Sequence, residues 1–241
     1  MSEPLQYLAV TLIMTGGALV QGLIGFGLGL LAVPFLVLLD PTLVPGPILF
    51  ASGVLSILML IRERHAIRRR NLAWSLVGRV GGTALAAVVL LIVPGDRLGL
   101  LFGFLILVGT GLTASGLHIV MNPATLTGAG FASGFMATTV SIGGPPMALL
   151  YHRQDGPILR GTLSAFFVVG TVISLTALHF VDRFAWRELV LGVGLFPGII
   201  LGFAISTQLT RRIDGRMLRP AILGVCAITG LVVLIEAIRA Y

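Results

Sequence analysis

The sequence predicts an all-α protein that crosses a membrane many times. Two features of composition and one of pattern carry this expectation. Charged residues make up 10% of the chain and hydrophobic ones 56%, whereas an ordinary soluble domain is roughly 25% charged. Mean hydropathy is +1.05. The apolar residues gather into long stretches, most of them about the 20 residues that a spanning helix needs, and no segment is left for a soluble domain. The expected fold class is therefore an all-α polytopic membrane protein. It is built from two homologous halves, read as inverted repeats, each a broken-helix hairpin plus three spanning helices.

The stretches run approximately Leu5–Leu39, Leu43–Ile61, Leu72–Val93, Leu98–Val120, Ala124–Tyr151, Leu159–Val181, Leu189–Leu209 and Met217–Ile238. The first and fifth are too long for one crossing. A straight helix from Leu5 to Leu39 would reach roughly 50 Å at 1.5 Å per residue, against a hydrocarbon core of about 30 Å. Each of the two contains a glycine-rich interruption. Gly22-Leu23-Ile24-Gly25-Phe26-Gly27-Leu28-Gly29 breaks the first, and Thr138-Thr139-Val140-Ser141-Ile142-Gly143-Gly144-Pro145-Pro146 breaks the fifth. Both read as hairpins of two shortened helices. Proline cannot continue a helix, because it lacks the donor and clashes with the preceding turn, but it fits at the start of a new one.

The halves echo one another. A shift of 112 places puts Gly22 on Gly134, Pro34 on Pro146, Trp74 on Trp186 and Gly82 on Gly194. This implies an internal duplication, with residues 1–120 as the first repeat and 121–241 as the second. The arginines then select a topology. If both long stretches simply crossed, the arginines would divide almost evenly between the two sides. If both are hairpins, Arg153, Arg160 and Arg211 to Arg219 join the Arg62–Arg70 cluster, and Arg97, Arg183, Arg187 and Arg239 remain opposite. That is the bias expected of a cytoplasmic face. Each half then has five elements, three of them full crossings, and the halves are inverted, as in many transporters.

Composition also narrows the function. The formal charge of +7 is entirely arginine, since there is no lysine. The arginines flank apolar stretches, where they report orientation and anionic lipid. No aromatic residues interleave with them, as a single-strand nucleic-acid binder would require, so the lipid bilayer is the expected partner and nucleic acid is not. Cys226, the single cysteine, excludes an internal disulfide and a thiolate metal cage, and reads as a small buried hydrophobe. The N-terminus lacks the pattern of a cleaved signal, so the first stretch is expected to remain. His118 and His179 fall on different stretches without ligand spacing, and His65 and His152 accompany loop arginines. No metal and no cofactor are expected. The carboxylates sit at or near segment ends, with Glu188 the nearest candidate proton carrier, so no central acid serves a cation site or proton relay.

The two breaks hold the candidate substrate-binding residues. Around the first these are Gln21, deep in an apolar stretch, with Gly25, Phe26, Gly27 and Gly29. Around the second they are Thr138, Thr139, Ser141, Gly143 and Gly144. A helix start carries free N–H groups and partial positive charge, which attract anions. Arg79, about two turns into the third stretch, either snorkels to the headgroups or lines an anion pathway. Close glycine packing and hydroxyl back-bonding are the competing explanations for the two motifs. An intramembrane serine hydrolase would need Ser133 or Ser141 activated by a base such as His179, and no Gly-x-Ser-Gly sequence supports it. A channel or permease for another small solute is the remaining alternative.

With the glycine run 22–29 followed by Pro34, the second run from Gly134 through Pro146, the two-repeat layout and the basic loop Arg62–Arg70, the whole chain resembles the sulfite exporter TauE/SafE family. Phe26 and Leu28 interrupt what is often a run of consecutive glycines in that family. The resemblance implies a bacterial membrane transporter, not an enzyme, for sulfite, sulfonates or related sulfur-containing or organic anions across the cell inner membrane. The small anion is its partner, and a second copy of the chain is a further candidate partner.

Overall fold

The computed structural model describes residues 3–117, 119–151, 154–210 and 219–239. The described residues form helices joined by short turns, with no strand among them. In the first half these are α1 (Glu3–Ile24), α2 (Leu28–Leu39), α3 (Gly46–Glu63), α4 (Arg69–Ile92) and α5 (Leu98–Ser115). The second half contains α6 (Pro123–Val140), α7 (Gly144–Tyr151), α8 (Gly156–Phe180), α9 (Trp186–Gly194), α10 (Phe196–Leu209) and α11 (Arg219–Arg239). Helices α1, α3, α4, α5, α8 and α11 contain stretches long and apolar enough to cross a bilayer, and the bent pair α9–α10 makes a seventh.

Both overlong stretches reverse direction. After α1 the chain turns on Gly25 and Gly27, with φ of 105° and 124°, a region that glycine enters without steric cost. Helix α2 then runs back along α1. Gly17 packs on Leu28 and Ala32, and the Gln6 amide reaches the Leu39 carbonyl at 3.5 Å. Similarly, α7 returns along α6, so that Leu126 near the start of α6 shares a cluster with Leu150 and Tyr151 at the end of α7. The halves of each hairpin are unequal, however. Helix α1 has 22 residues and α2 has 12, while α6 has 18 and α7 has eight. Only the returning helix is short, because each break lies late in its stretch.

Another departure lies in Leu189–Leu209, which reads as one span. The chain bends there by 42° between α9 and α10. Gly194 ends α9 and Pro197 occupies the first turn of α10, where its missing N–H costs nothing. The corresponding α4 is continuous for 24 residues.

The helices approach closely through small residues. A Cβ on Gly78 or Gly82 of α4 would collide with the Thr127 or Phe131 carbonyl of α6. One on Gly130 or Gly134 of α6 would collide with the Ser75 or Arg79 carbonyl of α4. The two i, i+4 glycine pairs thus pack against each other, the small-residue mode of helix association in membranes. Gly198 and Gly202 of α10 lie in the same way against Thr11 and Thr15 of α1. The element pairs repeat across the halves: α1 packs on α10 and α6 on α4, α2 on α11 and α7 on α5, while α3 packs on α8 and α5 on α11. Helices α3 and α8, which cross at Gly53 and Thr171, both begin Gly-Pro-Ile-Leu, at 46–49 and 156–159. The sequence reading did not use that repeat.

The helix ends bring several of the described arginines together. Arg160 pairs with Glu63 at 2.8 Å, which puts it beside Arg62. Arg183 donates to the Leu90 carbonyl at the far end of α4 (3.4 Å), and Gly99 packs on Ala237, placing the start of α5 beside the end of α11. Arg153, Arg211, Arg212, Arg216, Asp214, His118 and His152 lie outside the described residues.

Pro34, inside α2, cannot donate to the Leu30 carbonyl one turn back. The Cys226 thiol of α11 donates to it instead, at 3.2 Å, so Cys226 is more than a small hydrophobe. Cys226→Ala should lower stability by about 1–3 kcal/mol, the cost of a buried acceptor left unpaired, whereas Cys226→Ser keeps a donor and most of that stability. Thermal unfolding in detergent compares the two. In the same assay, Gly130→Val should cost about 1–3 kcal/mol or more by forcing α4 from α6. Gly128→Ala, where a Cβ would meet nothing within 4 Å, should gain about 0.5–1 kcal/mol.

Candidate functional site

The two breaks interlock. Helix α6 ends on Ser141 in a left-handed conformation, φ 59°, uncommon for a residue other than glycine. Its N–H donates to the Ala137 carbonyl at 2.8 Å, and the Ile142 N–H turns back to Met136 at 3.3 Å. The Ser141 hydroxyl donates to the Pro45 carbonyl at 2.9 Å, tying the break to the start of α3. Gly29 of the first break sits on the Ser141 carbonyl, leaving no space for a side chain, and Gly144 of the second sits on the Phe26 ring, where a Cβ would lie 2.8 Å from Phe26.

Between the breaks, α3, α4 and α8 lies a small cavity. The centre of a water-sized sphere can move there over about 40 Å³, against about 10–15 Å³ for one water, which is room for a few waters or one small oxyanion. Gln21, Phe26, Gly27, Gly29, Arg79, Ser141, Gly143 and Gly144 line it, as do Ser52 and Ser56 of α3 and Phe167 and Thr171 of α8.

Three candidates lie elsewhere. Gly25 faces Leu159 and Arg160. Thr138 points away from the cavity, its hydroxyl 2.8 Å from that of Ser174 and 3.2 Å from that of Thr83. Thr139 donates to the Phe135 carbonyl in its own helix at 2.7 Å.

Arg79 dominates the electrostatics. It occupies the middle of α4, and its residue exposure is 1%, so it does not snorkel. Its guanidinium donates to Ser133 of α6 at 3.2 Å and to Ser174 of α8 at 3.1 Å, and it lies over the Phe166 ring at 5.3 Å. Gly170 makes the room: a Cβ there would come within 2.7 Å of Nε and Cζ. Nε has no partner among the described residues, and neither does the charge, since the ion pairs among them involve other arginines. An arginine at the centre of a membrane helix costs about 2.5–3.5 kcal/mol on insertion scales. Two neutral hydroxyls offset only part of that.

The backbone contributes less than a helix start usually does. Pro145 and Pro146 have no N–H, so the first turn of α7 is poor in donors. At the start of α2, the Leu28 N–H donates to the side-chain Oε1 of Gln21 at 3.3 Å, while Nε2 of the same amide donates to the Ser56 hydroxyl at 3.5 Å. Sequence reasoning singled out Ser133 only as a hydrolase candidate and missed Ser174 and Gly170, which with it position Arg79, and Ser52, Ser56 and Thr171, which line the cavity. Single small residues in apolar helices give no signal of their own; the Gly-Pro-Ile-Leu repeat could have singled out α3 and α8.

Towards the arginine-rich end, the last turn of α1 is clasped. Arg62 donates to the Gly22 carbonyl at 2.7 Å, Arg160 to that of Leu23 at 3.4 Å, and Glu63 pairs with both arginines.

A bundle of spanning helices that buries a cation with no acid partner among the described residues beside two interlocked breaks has the build of a membrane carrier, since irregular backbone at membrane depth persists only where protein or a cavity satisfies it. The family comparison agrees. The model of the sulfite exporter TauE/SafE family matches residues 9–233, nearly the whole chain, and the chain belongs to that family, one of membrane transporters and not of enzymes. Searches of curated proteins and of solved structures returned no match. The geometry offers a hydrolase nothing: the Ser133 hydroxyl donates to the Gly143 carbonyl, and His179 faces the Phe184 carbonyl at the end of α8.

Glu63→Gln leaves Arg62 and Arg160 together without their shared carboxylate. It should lower stability by about 1–3 kcal/mol and make the remainder dependent on salt. Unfolding midpoints at low and high ionic strength test this.

Proposed function

We propose that the protein moves a small oxyanion, sulfite, an organosulfonate or a related sulfur-containing or organic anion, across the cytoplasmic membrane. The anion binds in the cavity between the two breaks. The observation that carries this reading is Arg79, a buried guanidinium with no acid partner among the described residues, on the wall of a cavity of suitable size. Its counter-charge is the substrate. On binding, the Ser141, Ser52 and Ser56 hydroxyls turn from the Pro45, Leu49 and Ser52 carbonyls and, with Thr171 and the Gln21 amide, replace part of the anion's hydration, and Phe26 and Phe167 fit an apolar substituent. Thr138 acts behind Arg79, through Ser174.

The two halves, 1–120 and 121–241, are inverted repeats in this reading. Its support is the exchange of element pairs between halves and the two returning hairpins, which leave three crossings in each half. Alternating access rocks one repeat against the other around the site, and the arginine-rich end faces the cytoplasm. Export of an anion from a negative-inside cell is favoured by about 2.3 kcal/mol per charge per 100 mV, so an exporter works without a carboxylate relay.

The test is ligand-dependent stabilisation of the purified protein. Sulfite at 100 times its Kd should stabilise it by about 2.7 kcal/mol. Arg79→Gln should abolish that increment, Ser141→Ala should reduce it, and both should stay folded. A wild-type increment retained by Arg79→Gln would refute the site.

A further inference from the structure

We infer that the site selects oxyanions in their singly charged form, with Arg79 setting the charge. This rests on the reading that the cavity is the anion site.

The argument is one of charge balance in a medium of low dielectric. Among the described residues lining the cavity, Arg79 is the only charged one. The remaining polar groups there are hydroxyls, one amide and backbone, which orient dipoles but bring no second charge. Arg62 and Arg160, beside the first break, are engaged with Glu63 and with the carbonyls ending α1, the negative end of that helix. Nor do the helix starts compensate: two prolines strip donors from α7, and Gln21 occupies the first N–H of α2. A monoanion beside Arg79 makes the cavity neutral. A dianion would leave one uncompensated negative charge inside the bundle, which burial penalises heavily.

Gly170 and Gly143 strengthen the point. A Cβ on either would crowd the guanidinium, at 2.7 Å and 3.2 Å, so both glycines leave it room while Ser133 and Ser174 fix its direction and Phe166 covers one face. The cation is positioned, and it is single.

A consequence follows for acids whose second ionisation lies near neutrality. Such a substrate enters as the monoanion and keeps its own proton. No proton-carrying side chain is needed, consistent with a cavity lined by no carboxylate among the described residues.

The experiment compares methanesulfonate with sulfate, two tetrahedral anions of similar size that differ by one charge and do not titrate near neutrality. Binding is measured on the full-length protein in nanodiscs, with sulfite as a third probe. Methanesulfonate should bind at least about tenfold tighter than sulfate. The Kd for total sulfite should fall as pH falls through the second ionisation, by up to about tenfold per unit above it. Ser52→Lys, which adds a cation to the cavity wall, should shift preference towards sulfate. Equal or tighter sulfate binding, with all binding lost in Arg79→Gln, would overturn the charge selection and leave the site standing. Unchanged binding in Arg79→Gln would remove the site as well. Sulfite affinity independent of pH would also overturn the selection.

Discussion

Hydrocarbon around the bundle cannot hydrogen-bond, and this constraint governs the structure's interior. A backbone that stops being helical within a bilayer exposes groups that the protein itself must satisfy. Particular side chains do so here. Gln21 takes the first N–H of α2, Cys226 serves the carbonyl orphaned by Pro34, Ser133 serves the carbonyl of Gly143, and Ser141 ties its break to α3. The breaks are therefore built junctions. Against that thorough satisfaction, the bare charge of Arg79 stands out, and the functional reading grows from it.

Packing and chemistry meet on the same helix pair. The glycines that bring α4 and α6 into backbone contact flank Arg79: Gly78 and Gly82 on its own helix, Gly130 and Gly134 opposite. With ordinary side chains there, α6 would stand further off, and Ser133 would lose its 3.2 Å contact with the guanidinium. Close approach in a membrane is usually a matter of association. Here it also fixes the direction of a cation, so a packing glycine near Arg79 acts on the site through distance.

Much of this was legible in the sequence, because hydrocarbon limits the choices. Helix length against bilayer thickness exposed both overlong stretches, and Gly25, Gly27 and Pro145-Pro146 marked where they had to break. The paired prolines and tryptophans are what suggest a duplication. What escaped depends on three-dimensional neighbours. The depth of Arg79 was ambiguous because distance from a basic loop says nothing about whether α6 and α8 cover the side chain; Gly170, Ser133 and Ser174 settle that, and each looks like any small membrane residue. Thr138 and Ser141, three residues apart, differ in role because Ser141 has left the helix and Thr138 has not. The bend at Leu195 hid because Pro197 is a single proline, and a helix start absorbs it as readily as a kink does.

The 112-place offset adds a last step. The same offset that pairs Trp74 with Trp186 and Gly82 with Gly194 puts Arg79 opposite Leu191, which packs against the apolar core. Together the two halves supply two breaks, two crossing helices and two small-residue contacts, and among the described residues lining the cavity only the first half supplies a charge. A symmetric pair of arginines around so small a cavity would repel each other when empty and would demand a doubly charged ligand. With one arginine, the cavity holds a single charge with no acid partner among the described residues, which hydroxyls and an aromatic face can tolerate and which, in the proposed reading, draws in an anion. In the proposed reading, this difference between the halves is what allows one cavity to be both stable when vacant and attractive to an anion.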